Sequence, residues 1–164
     1  VAPPEGTRPM TSRAKESLFS IIHSHLPGAR VLDLFAGSGS LGLEALSRGA
    51  DSAVFVERAR RAQLTIRKNI DAVGLGGTLV PGRVEAVVPE LDGFFDIVFV
   101  DPPYADDDRS IAAVLNSLEA ILADECIVIL HRQGTNAVPL PEFLTSFDER
   151  RYGDAVVTLM ERVS

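Results

Sequence analysis

The chain has 164 residues, of which 46% are hydrophobic and 24% charged, and its formal net charge is −7. That length is the size of one domain with a substantial core, and the apolar share excludes a disordered chain. No apolar run is long enough to span a bilayer and no signal-peptide pattern opens the chain, so the cytoplasm is the expected compartment. Because the sequence starts at Val1, a short N-terminal segment is expected to precede it. An acidic chain repels a phosphate backbone on average. The basic residues are clustered, however: Arg8, Arg13 and Lys15, then Arg58 to Lys68, then Arg150 and Arg151. The second cluster is expected to be a solvated helix face.

In chain order, "RVLDLF" (30–35) reads as a strand and "SLGLEALSRG" as a helix stopped by Gly49. "SAVFVE" (52–57) is a second strand. Ala59, Ala62, Ile66, Ile70 and Val73 then recur at helical spacing, with Gly74 as the expected cap. "GTLVPGRV" reads as a weak strand, "FDIVFVD" (95–101) as a strong one, "RSIAAVLNSLEAIL" as a helix and "CIVILHR" (126–132) as the next strand. The tail places two β-rich runs around Gly153-Asp154, the signature of a hairpin. Apolar strands alternating with helices imply a parallel sheet covered on both faces, with an antiparallel edge contributed by the tail. Cys126 is expected to be a buried small hydrophobe. His23, His25 and His131 lack metal-ligand spacing, so no metal site is assigned.

The first candidate site is "LDLFAGSGSLG", with Gly37, Gly39 and Gly42 between a strand and a helix and Glu57 ending the next strand. Taken alone, this is a dinucleotide fingerprint. Asp33 separates the nucleotide readings. A carboxylate just before the loop opposes a pyrophosphate and favours a cation, and S-adenosylmethionine carries a sulfonium and an ammonium. Glu57 then fits the two ribose hydroxyls, Arg58 lies near the adenine, and Phe35 either walls the channel or packs in the core. Asp33 could instead be a turn cap of the loop.

The second candidate site is Asp101-Pro102-Pro103-Tyr104, where a strand leaves the sheet. Ligands of open parallel sheets bind at the carboxyl ends of the strands, so Asp33, Glu57 and Asp101 are expected at one edge. Two prolines make a stiff segment that offers acceptors and no donors. That suits a target NH₂ group. Hydrogen bonds to the Asp101 carboxylate and the Pro102 carbonyl would return electron density to its nitrogen and aim it. Tyr104 offers a face on which an extruded base can stack.

"DLFAGSGSLGLEALSRGA", "FVE" and "DPPY" resemble the Rossmann-like amino-methyltransferases of class I, and "RPMTSRAKESLF" (8–19) resembles the "RPT-x-DRVREALF" signature of the RsmD-type enzymes among them. Met10, Ser12 and Lys15 replace the usual Thr, Asp and Arg of that signature, and a "RIIAG"-like segment is absent from the chain. The resemblance implies one methyltransferase domain over residues 1–164. Its fold would be a seven-stranded, mostly parallel sheet in the order 3-2-1-4-5-7-6, ending in an antiparallel hairpin. It implies methylation of a guanine N2 of 16S ribosomal RNA, with that RNA or the small subunit as partner. S-adenosylmethionine would be held by Asp33, Phe35, Gly37, Ser38, Gly39, Glu57, Arg58 and Val84. Asp101, Pro102, Pro103 and Tyr104 would carry the chemistry, and Arg8, Thr11, Arg13 and Lys15 would contact RNA. The alternatives are methylation of an adenine N6 or a protein glutamine, and an NAD-dependent reductase, which Asp33 and DPPY disfavour.

Overall fold

The computed structural model describes residues 10–134 and 137–163. Its centre is one sheet built from β1 (Arg30–Leu34), β2 (Ser52–Glu57), β3 (Thr78–Pro81), β4 (Phe95–Val100), β5 (Leu122–Gln133), β6 (Leu144–Tyr152) and β7 (Ala155–Arg162). The strand order is β3-β2-β1-β4-β5-β7-β6. The first five strands are parallel, β7 is antiparallel to β5, and β6 is antiparallel to β7. The expected class I architecture, including the terminal hairpin, is therefore what the chain forms.

Side-chain alternation along the central strands produces two cores. Leu32, Leu34, Val56, Val98, Val100, Val128 and Leu130 face one layer. That layer contains the short helix α4 (Val84–Val87) and α5 (Asp108–Asn116), which contributes Ile111, Val114 and Leu115. Val31, Phe55, Ile97, Phe99, Ile127 and Ile129 face the other. There α1 (Ser12–Ile22), α2 (Ser40–Ser47) and α3 (Arg60–Val73) cover the sheet through Phe19, Leu43 and Ile66, among others. Burying apolar surface on both faces is what forces the continuous hydrophobic runs of β1, β4 and β5. Tyr152 ties the tail hairpin to α1 by donating its hydroxyl to Ser17 Oγ at 2.6 Å. No helix among the described residues is long and apolar enough to cross a membrane.

Several boundaries differ from expectation. The helix expected over "RSIAAVLNSLEAIL" stops at Asn116, although Leu118, Ile121 and Leu122 continue its apolar period. Ser117 turns its hydroxyl onto the Val114 carbonyl at 2.6 Å, an alternative to the helical ladder. A 3₁₀ turn over 119–121 then buries those apolar residues, and β5 begins at Leu122, paired with Phe95, rather than at Cys126. Only Thr78–Pro81 of "GTLVPGRV" is strand. Gly82 breaks it at φ +145°, and Val84 starts α4. Gly74 caps α3 as expected, at φ +71° with its amide on the Ile70 carbonyl. Cys126 is buried, and the basic residues of α3 point to solvent.

Candidate active site

Parallel register sets Leu34 beside both Val56 and Val100, and Val100 beside Leu130. The residues that follow these positions, Phe35, Glu57, Asp101 and His131, therefore emerge along one edge of the sheet. The loop after β1 turns sharply. Phe35 adopts φ +57°, the one non-glycine residue at positive φ among those described, and Gly37 (φ +59°) and Gly39 (φ +81°) follow in the same region. An aromatic residue held there costs on the order of 1–3 kcal/mol, so the surrounding contacts must over-determine the loop.

Those contacts are visible. Glu57 accepts the Gly37 amide on one carboxylate oxygen at 2.9 Å and the Ala59 amide on the other at 2.8 Å. Asn69 of α3 donates to the Ser38 carbonyl at 2.8 Å. The Ala36 amide reaches Val56 O at 3.0 Å, and the Gly39 amide reaches Ala36 O at 2.8 Å. Asp33 is 1% exposed and accepts the Gly42 amide in the first turn of α2. Burial pushes its carboxyl well above the usual range. The Gly42 hydrogen bond opposes that shift, while the nearby Asp101 and Glu57 carboxylates add to it.

The loop opens onto a pocket of about 330 Å³. Phe35, Gly37, Ser38, Glu57, Arg58, Val84, Asp33, Asp101, Pro102 and Pro103 all line it, so the structure brings both sequence motifs to one cavity. Met10 completes the wall together with residues to which the sequence assigned no role, Ala36, Ser40, Leu41, Glu85 and Asp106 among them. Asp106 is pushed above the usual carboxylate range by burial, then by Glu85, with Arg58 pulling the other way. Five carboxylates (Asp33, Glu57, Glu85, Asp101, Asp106) face the cavity against the guanidinium groups of Arg58 and Arg83. This lining fits a ligand bearing positive charge and rejects a pyrophosphate.

Two expected residues stand elsewhere. Gly39 is not on the pocket wall; it is the αL N-cap of α2, buried behind Phe55 and Ile66. Tyr104 is 59% exposed and stands beyond the lining residues. Of the basic segment, Arg8 lies outside the described residues. Thr11 caps α1 by accepting the Ala14 amide, Arg13 is exposed, and Lys15 pairs with Glu44 of α2 at 3.6 Å. With Met10 on the pocket wall, the start of α1 borders the cavity.

The family model described as "Conserved hypothetical protein 95" matches residues 1–161. The ribosomal RNA small subunit methyltransferase D of Escherichia coli K12 is 33% identical over 161 residues, covering 96% of this chain and 80% of that one. The chain belongs to the RsmD family. YlbH of Bacillus subtilis is 34% identical, with 94% and 82% of the two chains covered. The solved structure of Escherichia coli yhhF superposes with a TM-score of 0.87 at 33% identity, over 99% of this chain and 91% of that one.

Within this RsmD-family site, His131 is a further residue to which the sequence assigned no role beyond the absence of metal-ligand spacing. His131 is 3% exposed, and its Nδ1 lies 2.8 Å from Asp101 Oδ1. A carboxylate oxygen only accepts, so Nδ1 is the donor. The next residue, Arg132, donates to Asp108 at the start of α5. The signal in the sequence was the abrupt polar end of an apolar strand, "CIVILHR", at the ligand edge of the sheet.

Proposed function

We propose that this chain methylates the exocyclic N2 amine of a guanine in 16S ribosomal RNA, with S-adenosylmethionine as methyl donor. The observation that carries the reading is the convergence of Asp101, Pro102 and Pro103 with the Phe35–Ser38 loop and Glu57 on one acid-lined pocket. When bound, S-adenosylmethionine supplies an electrophilic methyl carbon on a sulfonium. Glu57 serves the ribose hydroxyls with the lone pairs its two backbone partners leave, and it stiffens the loop at the same time. Asp33 and the neighbouring carboxylates favour the cationic end of the donor. Arg58 and Val84, both on the pocket wall, would flank the adenine.

Asp101 has one oxygen held by His131, which leaves the other to accept an N–H of the target amine. The Pro102 carbonyl accepts the second N–H. Together they would orient the nitrogen and raise its electron density toward the donor's methyl carbon; the methyl would pass from sulfur to nitrogen, leaving S-adenosylhomocysteine, and the proton lost from nitrogen would go to solvent. Positioning of this kind is worth several kcal/mol of barrier. Tyr104, exposed and outside the pocket wall, would stack on an extruded base. Arg13 and Lys15 lie on α1 and Thr11 caps it, next to the pocket-lining Met10, where a phosphate backbone would pass, and Arg8 precedes them in sequence.

The test is a comparison of modified nucleosides in 16S ribosomal RNA from a deletion strain and its parent. It should be paired with methylation of the deletion strain's RNA by the purified protein. Loss and restoration of a single N2-methylguanine supports the reading. A label in adenine or in protein, or none in RNA, overturns it. Asp101→Ala should lose on the order of a hundredfold or more in turnover while S-adenosylhomocysteine affinity stays within a few-fold, because the carboxylate acts mainly in the transition state.

A further inference from the structure

We infer that the consecutive residues His131 and Arg132 clamp the 101–108 loop at both ends, and that His131 is the positioning residue that aims Asp101. The inference rests on the methyl-transfer reading above only for its effect on turnover. Neighbouring residues of a strand point to opposite faces of a sheet. His131 continues the parity of Ile127 and Ile129, toward α1 and α2, and meets Asp101 on that face. Arg132 continues the parity of Val128 and Leu130, toward α5, and meets Asp108 there. One end of the loop is thus gripped from one side of the sheet and the other end from the opposite side. Both grips come from one dipeptide at the end of β5.

β5 is a rigid place to anchor such a grip, since it is paired along His131 and Arg132 by Val157 and Val156 of β7. Inside the loop, the two prolines fix φ, and the Asp106 amide closes on the Pro103 carbonyl at 3.0 Å. Asp107 caps α5 by accepting the Ser110 amide at 2.8 Å. What these local devices leave undetermined is the rotation of the Asp101 carboxylate and the distance of the loop from the sheet. The hydrogen bond from His131 fixes the first. The pair at Asp108 fixes the second. A side chain held in this way is presented to the amine already oriented, which is where enzymatic acceleration by positioning arises.

The experiment uses the full chain with His131→Leu, His131→Gln, His131→Asn and Arg132→Gln. Three quantities are measured: hydrogen–deuterium exchange of the peptide spanning 101–108, S-adenosylhomocysteine affinity, and single-turnover methylation of 16S RNA. Asparagine carries an N–H close to the position of Nδ1, whereas glutamine places its N–H one bond farther out. The clamp predicts faster exchange at 101–108 in Leu, Gln and Arg132→Gln, with the β1–α2 peptide unchanged. It also predicts turnover reduced at least tenfold in His131→Leu and His131→Gln, affinity within a few-fold, and both properties restored in His131→Asn. Should His131→Leu fail to fold, the Asn–Gln contrast carries the same test. Unchanged exchange, parental turnover in His131→Gln, or Asn and Gln behaving alike overturns it. If the parent protein methylates no RNA, the functional reading fails, and the exchange measurement alone then decides the clamp.

Discussion

Asp33 Oδ2 and the Gly42 amide lie 3.0 Å apart, joining the end of β1 to the first turn of α2 beneath the glycine loop. Asp33 is therefore a cap of the loop, and the same carboxyl group also lines the pocket. Its burial has a thermodynamic signature. An unfolded aspartate titrates near pH 3.9, and this one is raised in the folded state, so above that pH the folded chain holds more protons than the unfolded one. Unfolding free energy therefore falls as pH rises from about 4 through the folded value. Asp33→Asn keeps an oxygen for Gly42 and removes the charge, so its stability should vary less over the same window. Urea unfolding of both proteins between pH 4 and 8 checks this, and identical pH slopes would refute it. S-adenosylhomocysteine affinity, measured in parallel, should rise with pH in the parent and less steeply in the variant, where Asp106 is still raised.

Glu57 holds two backbone amides as well as facing the pocket, so its removal does more than delete a ligand contact. Hydrogen bonds to a charged group are worth about 1.5–3 kcal/mol each. Glu57→Ala should weaken S-adenosylhomocysteine binding by roughly a hundredfold or more, and calorimetry giving the parental constant would remove Glu57 from the site.

Gly42 shows why the third glycine of the loop is small. A Cβ there would stand 2.4 Å from the Phe55 ring and 3.2 Å from Asp33 Oδ2. Gly42→Ala should cost about 1–3 kcal/mol by overpacking and displace the Asp33 cap. The melting temperature would fall by several degrees on the scale of about 2–4 °C per kcal/mol for a chain of this size. An unshifted melt would show that α2 can slide away from β2 freely.

Arg13 is exposed, whereas Lys15 is tethered to Glu44. If both reach phosphates, each alanine substitution lowers the salt slope of RNA binding by about one. The double variant is expected to lose about two units of slope, and an unaltered slope reduces the segment to a solvated helix face.

The fold was legible because its signals are local. The apolar runs of β1, β4 and β5, the Gly74 cap and the Gly153-Asp154 turn each announce themselves within a few residues. The convergence of Asp33, Glu57 and Asp101 followed from one topological rule about strand ends. What stayed hidden depends on partners distant in sequence. The end of α5 at Asn116 is set by where β5 must begin to pair with Phe95, while the helical apolar period runs straight through it. The bond from His131 to Asp101 spans 30 residues and exists only once β4 and β5 are in register. The glycine pattern alone does not distinguish a residue that lines a cavity from one that, like Gly39, lets a helix start.

The position of β7 between β5 and β6 has a consequence in time. A ribosome releases residues 155–162 after the other six strands of the sheet, yet they are the strand that seals β5 beside His131 and Arg132. Until they emerge, β5 is a bare sheet edge carrying unpaired backbone groups, and the 144–152 segment has nothing to pair with. A nascent chain arrested before residue 155 should be cleaved readily near β5, and one extended past residue 162 should resist. On this view the sheet edge that carries His131 is sealed only after the other six strands have been made.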